Sequence, residues 1–237
     1  MTISLDPSIC PTATLPEVLD LARSAEFDSI ILHCAETASS PFHPDTSVRL
    51  IREYLDDAGI TLSLLNVRAL DGLDRNGEPS DSYSLRVVEW DIHLARALRQ
   101  SQVSYQCGPP TNEARKALVD GTHTLSEKIP QVKLSVCNAS NSCLESLSDF
   151  DTILSELPDS VTVFLETSET SEAVRILDSY CSRIGAVAIG SNDADTIDAM
   201  KSNHYSGPIV ISLPPDNGSN PAERASAARC HLEESLT

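Results

Sequence analysis

The sequence predicts an α/β protein, a closed single-domain (β/α)8 TIM barrel. A strand-then-helix alternation repeats eight times between Thr2 and Leu236, at about thirty residues per unit, the spacing of such barrels. The chain has 237 residues, 41% of them apolar, enough for one large core and close to the usual size of one barrel. No run rich in Pro, Gly or Ser divides it, so one domain is expected over residues 1–237. An open doubly wound sheet uses the same alternation. The count of eight speaks against it, as does the Asp6-Pro-Ser-Ile-Cys-Pro that stands after the first strand in place of G-x-G-x-x-G. A phosphate-cradling G-x-x-x-x-G-K-[ST] is absent as well.

The first strand covers residues 2–5 and its helix residues 15–25. Thr14 and Glu17 make a capping box, and Leu15, Val18, Leu19, Ala22 and Ala25 form a buried stripe. The second strand, Ser29-Ile-Ile-Leu-His33, carries the apolar run of a parallel strand covered on both faces. Its helix, residues 47–58, stops at Gly59, the usual residue for a left-handed C′ position. The third strand is 61–66. A polar loop, 71–80, then precedes the helix at 84–98, and a loop of that kind is either a functional lid or a surface insert. The fourth strand is 102–106, with Thr111 capping a helix that reaches Lys128. Strands at 133–137 and 162–166 are followed by helices at 147–157 and 171–183. The seventh unit pairs a strand at 186–190 with a helix at 194–201. The eighth strand, 208–213, leads to Asn220-Pro-Ala-Glu223, a cap, a proline at the first helical position and an acid at the third.

With 35 acidic and 17 basic side chains the net charge is −18, which repels a phosphate backbone or an anionic lipid surface. Nucleic acid and membrane partners are therefore not expected. No stretch approaches the roughly 18 consecutive apolar residues of a membrane span, and Met1-Thr-Ile-Ser-Leu-Asp-Pro-Ser-Ile-Cys10 does not read as a secretory signal. A cytoplasmic protein is expected. Seven cysteines without a CxxC pair fit small buried side chains in a reducing compartment.

Barrels of this type place chemistry at the carboxyl ends of their strands. Those ends offer Asp6 and Cys10, then His33 and Cys34, then Asn66 and Arg68, then Tyr105, Gln106 and Cys107. The second half adds Cys137 and Asn138, then Glu166, Thr167 and Glu169, then Ser191, Asn192 and Asp193, and finally Ser212. Glu166 ends an apolar strand, so its carboxylate needs water, a partner or a ligand. It can serve as general base or metal ligand, or be salt-bridged at the rim. His33 suits proton transfer or metal binding, and equally a hydrogen bond across the mouth. Arg68 can hold a substrate carboxylate bidentately or pair with Asp71 or Asp74. Asn192-Asp193-Ala-Asp195 lacks the glycine and distant glutamate of a calcium loop and reads as a helix cap.

Several segments resemble one family. Leu15-Pro-Glu-Val-Leu-Asp-Leu-Ala-Arg-Ser-Ala-Glu-Phe-Asp-Ser29 and Ile51-Arg-Glu-Tyr-Leu-Asp-Asp-Ala-Gly-Ile-Thr61 are similar to the first two units of the xylose isomerase-like barrels, the sugar phosphate isomerase/epimerase group. Asp91-Ile-His-Leu-Ala-Arg-Ala-Leu98 with Val103-Ser-Tyr-Gln-Cys-Gly108, and Tyr205-Ser-Gly-Pro-Ile-Val-Ile211 with Asn220-Pro-Ala-Glu223, look like its third helix and fourth strand and its last unit. The resemblance implies isomerisation, epimerisation, dehydration or, in one branch, cleavage of abasic DNA. It also implies divalent ions held by a glutamate, an aspartate, a histidine and a glutamate at the fifth to eighth strands. The matching positions here are Cys137, Glu166, Gly190 and Ser212. Only Glu166 keeps a hard oxygen ligand, so no metal cofactor is expected.

Two functions follow. The first is a metal-independent isomerase, epimerase, lyase or cyclase acting on a small polar or polyketide-like metabolite. Glu166 is its base, His33 or Cys137 the partner acid, and Asn66, Arg68, Tyr105, Gln106, Asn138, Asn192 and Ser212 bind the substrate. Strand-end loops without lysine predict a substrate that is not phosphorylated. The second is a catalytically inactive barrel that binds a ligand or a partner. A homo-oligomer is compatible with either.

Overall fold

Strands this short and this apolar need cover on both faces, and closing the sheet inside a ring of helices supplies it. In a computed structural model, which describes residues 1–35, 37–43, 46–190, 193–216 and 218–236, the described residues form eight strands and eight α-helices. The first half runs β1 (Ile3–Leu5), α1 (Leu15–Ser24), β2 (Ser29–His33), α2 (Val48–Ala58), β3 (Thr61–Leu70), α3 (Asp81–Ala97), β4 (Gln102–Cys107) and α4 (Asn112–Lys128). The second runs β5 (Lys133–Cys137), α5 (Leu147–Glu156), β6 (Thr162–Glu166), α6 (Ala173–Tyr180), β7 (Ile184–Ile189), α7 (Ala194–Ser202), β8 (Ile209–Ile211) and α8 (Pro221–Leu236). Each strand pairs in parallel with its sequence neighbours, and β1 closes on β8 through Ile3↔Ile209, Ser4↔Val210 and Leu5↔Ile211.

The helix ends follow the local chemistry of the sequence. Glu17 Oε2 accepts from Thr14 N at 2.7 Å, Ser47 Oγ from Leu50 N at 3.2 Å and Thr111 Oγ1 from Ala114 N at 3.1 Å, each satisfying an amide the helix leaves open. Gly59 ends α2 with φ at 67°, a conformation costly for any other residue. Two boundaries differ from the sequence reading. β3 continues past Asn66 to Leu70, because Val67 and Leu70 remain buried and pair with Tyr105 and Cys107 across a register shift. α3 begins at Asp81, and residues 71–80 fold into turns in which Asp74 Oδ1 accepts from Asn76 N at 2.8 Å and Glu78 N at 3.0 Å. Gly72 is left-handed there, and a Cβ on it would meet Ala117 Cβ at 2.8 Å.

Side chains alternate along each strand between helix layer and barrel interior. Outward positions such as Leu5, Ile30, Leu65, Val136, Val163 and Val187 build the main core against the helices. Inward positions form a second, smaller core of Ile31, Leu64, Cys137, Phe164, Ala186, Ala188 and Val210. Below it hydroxyls pair across the barrel floor: Ser4 with Ser29 at 2.8 Å and Ser63 at 2.7 Å, and Ser135 with Thr162 at 2.7 Å. The barrel is thus plugged, and chemistry is confined to the layer above. Among the described residues no helix is long and apolar enough to cross a membrane.

Candidate active site at the barrel mouth

One step up from that inner core, the inward side chains become polar at Asp6, His33, Asn66, Glu166 and Ser212. Asp6, just past β1, is the hub. Its Oδ1 meets His33 Nε2 at 2.9 Å and accepts from Ser8 N at 2.8 Å, and its Oδ2 accepts from Ser212 Oγ at 3.0 Å. Burial opposes the charged form of both partners, but their mutual attraction outweighs it. Asp6 is held below the usual carboxylate range, and His33 is raised above the usual imidazole range with help from the Glu166 charge. His33 Nδ1 faces Asn66 Nδ2 at 3.2 Å, while the buried Asn66 Oδ1 has no partner among the described residues. Amide nitrogen to ring nitrogen suits a neutral imidazole. Turning the amide over gives a charged imidazole an acceptor and relieves the orphaned oxygen.

Glu166 closes the other side of the mouth. Burial raises its pKa, the nearby Asp6 charge adds to this, and the Cys137 hydrogen bond and His33 partly offset it. Cys137 Sγ donates to Glu166 Oε1 at 3.2 Å, whereas no hydrogen bond to Oε2 is seen among the described residues. Two expected roles change here. Cys137, expected as a partner acid, is fully buried, burial and the Glu166 charge push its thiol well up, and its hydrogen bond is given to the Glu166 carboxylate. Asn138, also fully buried, clasps the backbone of Glu166, its Nδ2 donating to Glu166 O at 3.0 Å and its Oδ1 accepting from Glu166 N at 2.7 Å. Its amide is spent on positioning and is not offered to a substrate.

Arg68 pairs with neither Asp71 nor Asp74. Its Nε and Nη2 donate to the fully buried Asp91 at 3.0 and 2.6 Å, its backbone N adds a third bond at 3.1 Å, and its guanidinium lies 4.8 Å from the Phe42 ring centroid. Tyr105 is removed from the expected substrate set. Its position on β4 points outward, where the buried hydroxyl meets Thr122 of α4 at 2.8 Å. Gln106, one residue on, lines a cavity of about 220 Å³ with His33, Asn66 and Arg68. That cavity adjoins a cleft of about 830 Å³ under the β2–α2 loop, sharing Cys34, Ala35 and Arg68 with it. None of residues 71–80 lines either space among the described residues. Asn192 and Ser191 lie outside the described residues.

Sequence reasoning gave no role to Asp6, Asp91 or Phe42. Asp6 follows an apolar strand just as Glu166 ends one, and the same desolvation argument applies to it. Asp91 sits on the buried stripe of α3 with Ser84, Val88, Ile92 and Ala95, where a carboxylate without a cation is not stable. Asp193 does not cap α7 with its side chain. Its Oδ2 accepts instead from Gly190 N at 2.7 Å and Thr167 Oγ1 at 2.6 Å.

No protein-family profile and no curated protein matches the chain. Solved structures do match, over essentially the whole chain. The IOLI protein with a bound zinc atom shares 14% identity at a TM-score of 0.80, covering 100% of this chain and 98% of that one. The 3-keto-D-glucoside 4-epimerase YcjR from E. coli shares 12% at 0.75, covering 99% of each. A xylose isomerase-like TIM barrel/4-hydroxyphenylpyruvate dioxygenase fusion protein shares 17% at 0.76, this chain spanning 43% of its length. The fold is that of the xylose isomerase-like barrels.

In this xylose isomerase-like barrel the donors do not fit the divalent ion that the fold family implies. The Cys137 thiol donates to Glu166, Gly190 has no side chain, Ser212 donates to Asp6, and Asp193 is occupied by Gly190 and Thr167. Among the described residues no group of three or more His, Cys, Asp or Glu stands where it would hold a metal. A hard cation needs several oxygen ligands at once, and Glu166 alone does not provide them.

Proposed function

We propose that this barrel is an isomerase, epimerase or lyase that moves a proton on a small non-phosphorylated substrate without a divalent ion, with Glu166 as the base. One observation carries the reading. A carboxylate with a raised pKa stands at the mouth, one oxygen fixed by the Cys137 thiol and the other unengaged among the described residues, facing the Asp6–His33 ion pair. A pKa raised toward neutrality suits a group that both takes and returns a proton. With the Asn66 amide turned so that its Oδ1 accepts from Nδ1, His33 acts as a fixed positive charge for the enolate-like anion that proton removal creates. It is not a free acid, because both ring nitrogens are engaged.

Similar folds that carry epimerase names, such as the 3-keto-D-glucoside 4-epimerase, support the reaction class at the level of analogy. The test is incubation in D2O with a panel of enolisable ketoses, keto acids and hydroxy acids, followed by proton NMR. Deuterium incorporation by the wild type that Glu166→Gln abolishes supports the reading, and equal incorporation by both removes Glu166 from the chemistry.

The second reading, a ligand-binding barrel without catalysis, is favoured by one observation. His33 and Cys137 are both held in hydrogen bonds, so neither stands ready at the mouth as a second proton donor.

A further inference from the structure

The cleft beyond the reactive corner has its own chemistry. The space of about 830 Å³ under the β2–α2 loop adjoins, across the shared Cys34, Ala35 and Arg68, the cavity of about 220 Å³ that reaches His33, Asn66 and Gln106. Together they have the size of a pocket for a small organic ligand. The walls are mixed: Cys34, Ala35, Ala38, Phe42, Val67 and Ala69 stand beside Thr37, His43, His33, Asn66, Arg68 and Gln106. A sugar carries a hydroxyl on nearly every carbon, and the apolar stretches leave some of those groups unpaired.

Arg68 is the one guanidinium lining this space, and no carboxylate lines it among the described residues. Asp91 takes the Nε–Nη2 edge of the planar fork. The Nη1–Nη2 end keeps its remaining N–H groups, in a plane fixed by Asp91 on one side and by Phe42 at 4.8 Å. A guanidinium so held loses little freedom on meeting a carboxylate. Phe42 is 43% exposed, one of the few large apolar side chains left uncovered among the described residues.

We propose that the cleft binds a small carboxylic acid with a flat, apolar body, an aromatic or conjugated acid that carries its enolisable carbon at the end away from the carboxylate. The carboxylate sits on the open end of Arg68, the body lies along Phe42, and the far end points to Asn66 and Gln106. This rests on the reading of the mouth as the reaction site and names its substrate class. A chain of net charge −18 does not draw anions in from a distance, so the selectivity is local, set by contact with Arg68 and Phe42.

The test is calorimetric titration of the full chain with sodium trans-cinnamate, cinnamyl alcohol, sodium acetate and D-xylose. Cinnamate is expected to bind at least about tenfold more tightly than the alcohol, which lacks the charge, and than acetate, which lacks the body. Arg68→Gln made together with Asp91→Asn keeps a neutral hydrogen-bonded pair, and it should erase the preference for cinnamate over the alcohol. Phe42→Ala, at a half-exposed position, preserves the fold and should weaken cinnamate about fivefold or more. Cinnamyl alcohol binding as tightly as cinnamate, xylose binding more tightly than cinnamate, or no cinnamate binding at millimolar concentration overturns the proposal. Binding that survives while Glu166→Gln leaves turnover unchanged faults the catalytic reading alone, and lost turnover without cinnamate binding faults the substrate class alone.

Discussion

Removing either partner of the Arg68–Asp91 pair should not cost the same, and the more exposed residue should be the dearer one to lose. Arg68 has 44% of its side chain in solvent and Asp91 has 0%. In Asp91→Ala the guanidinium swings into water, which replaces most of its two charge-assisted bonds, and the penalty of keeping a carboxylate buried is relieved, so the net loss is about 2–3 kcal/mol. In Arg68→Ala the carboxylate stays behind, wholly buried, with the backbone N as its one remaining donor among the described residues. An uncompensated buried charge costs about 3–5 kcal/mol. For a chain of this length those figures correspond to drops in Tm of roughly 4–12 °C and 6–20 °C. Urea titration of both single variants and the Ala/Ala double variant reads the difference directly. The double variant should be less destabilised than the sum of the singles, because removing both leaves no orphaned charge. Equal single costs, a larger cost for Asp91→Ala, or strict additivity would refute the reasoning.

Tyr105→Phe should lower stability by about 1–2 kcal/mol in urea unfolding, because it strands the Thr122 hydroxyl, and should leave ligand binding and turnover unchanged. The Asp6–His33 pair makes a pH-dependent contribution whose sign follows from its shifts. Asp6, lowered, stabilises above its unfolded pKa near 3.9 and loses this as acid passes its folded value. His33, raised, stabilises below its unfolded pKa near 6.5 and loses this as the pH climbs through its folded value. The stability gap between wild type and His33→Gln should therefore be widest between about pH 4 and 6.5 and shrink in alkali, and a gap flat across pH 4–9 contradicts the pairing. Cys137→Ala removes the hydrogen bond that holds the Glu166 pKa down. The acid limb of any pH–rate profile should then move to higher pH, and an unmoved limb would separate Cys137 from Glu166.

The eight-unit beat carried the architecture because parallel strands and amphipathic helices are set by local pattern and burial. Thr14, Ser47, Thr111 and Gly59 sit at the ends their chemistry predicts. Which face a strand-end side chain takes is harder to read. Tyr105 and Gln106 are neighbours, yet one enters the helix layer and the other lines the cavity, and a parity argument along β4 separates them only once the inner core is known. Asn138 looked like a substrate ligand because its type is versatile, and only the geometry of Glu166 reveals that its amide is already used. The Arg68–Asp91 bond joins β3 to α3 over a separation of 23 residues, so neither residue's neighbours in sequence point to it. The legible clue was a carboxylate on a helix stripe that must be buried.

The claim at the centre of this account is proton transfer by Glu166 without a divalent ion. Its most direct measurement is solvent-deuterium incorporation into a turned-over substrate by protein dialysed against EDTA and assayed for residual metal, alongside Glu166→Gln treated in the same way. Exchange should survive chelation and fall about 10²–10⁴-fold in the Gln variant. Exchange that stops on chelation and returns with manganese or zinc, or a Gln variant as fast as the wild type, would contradict the claim.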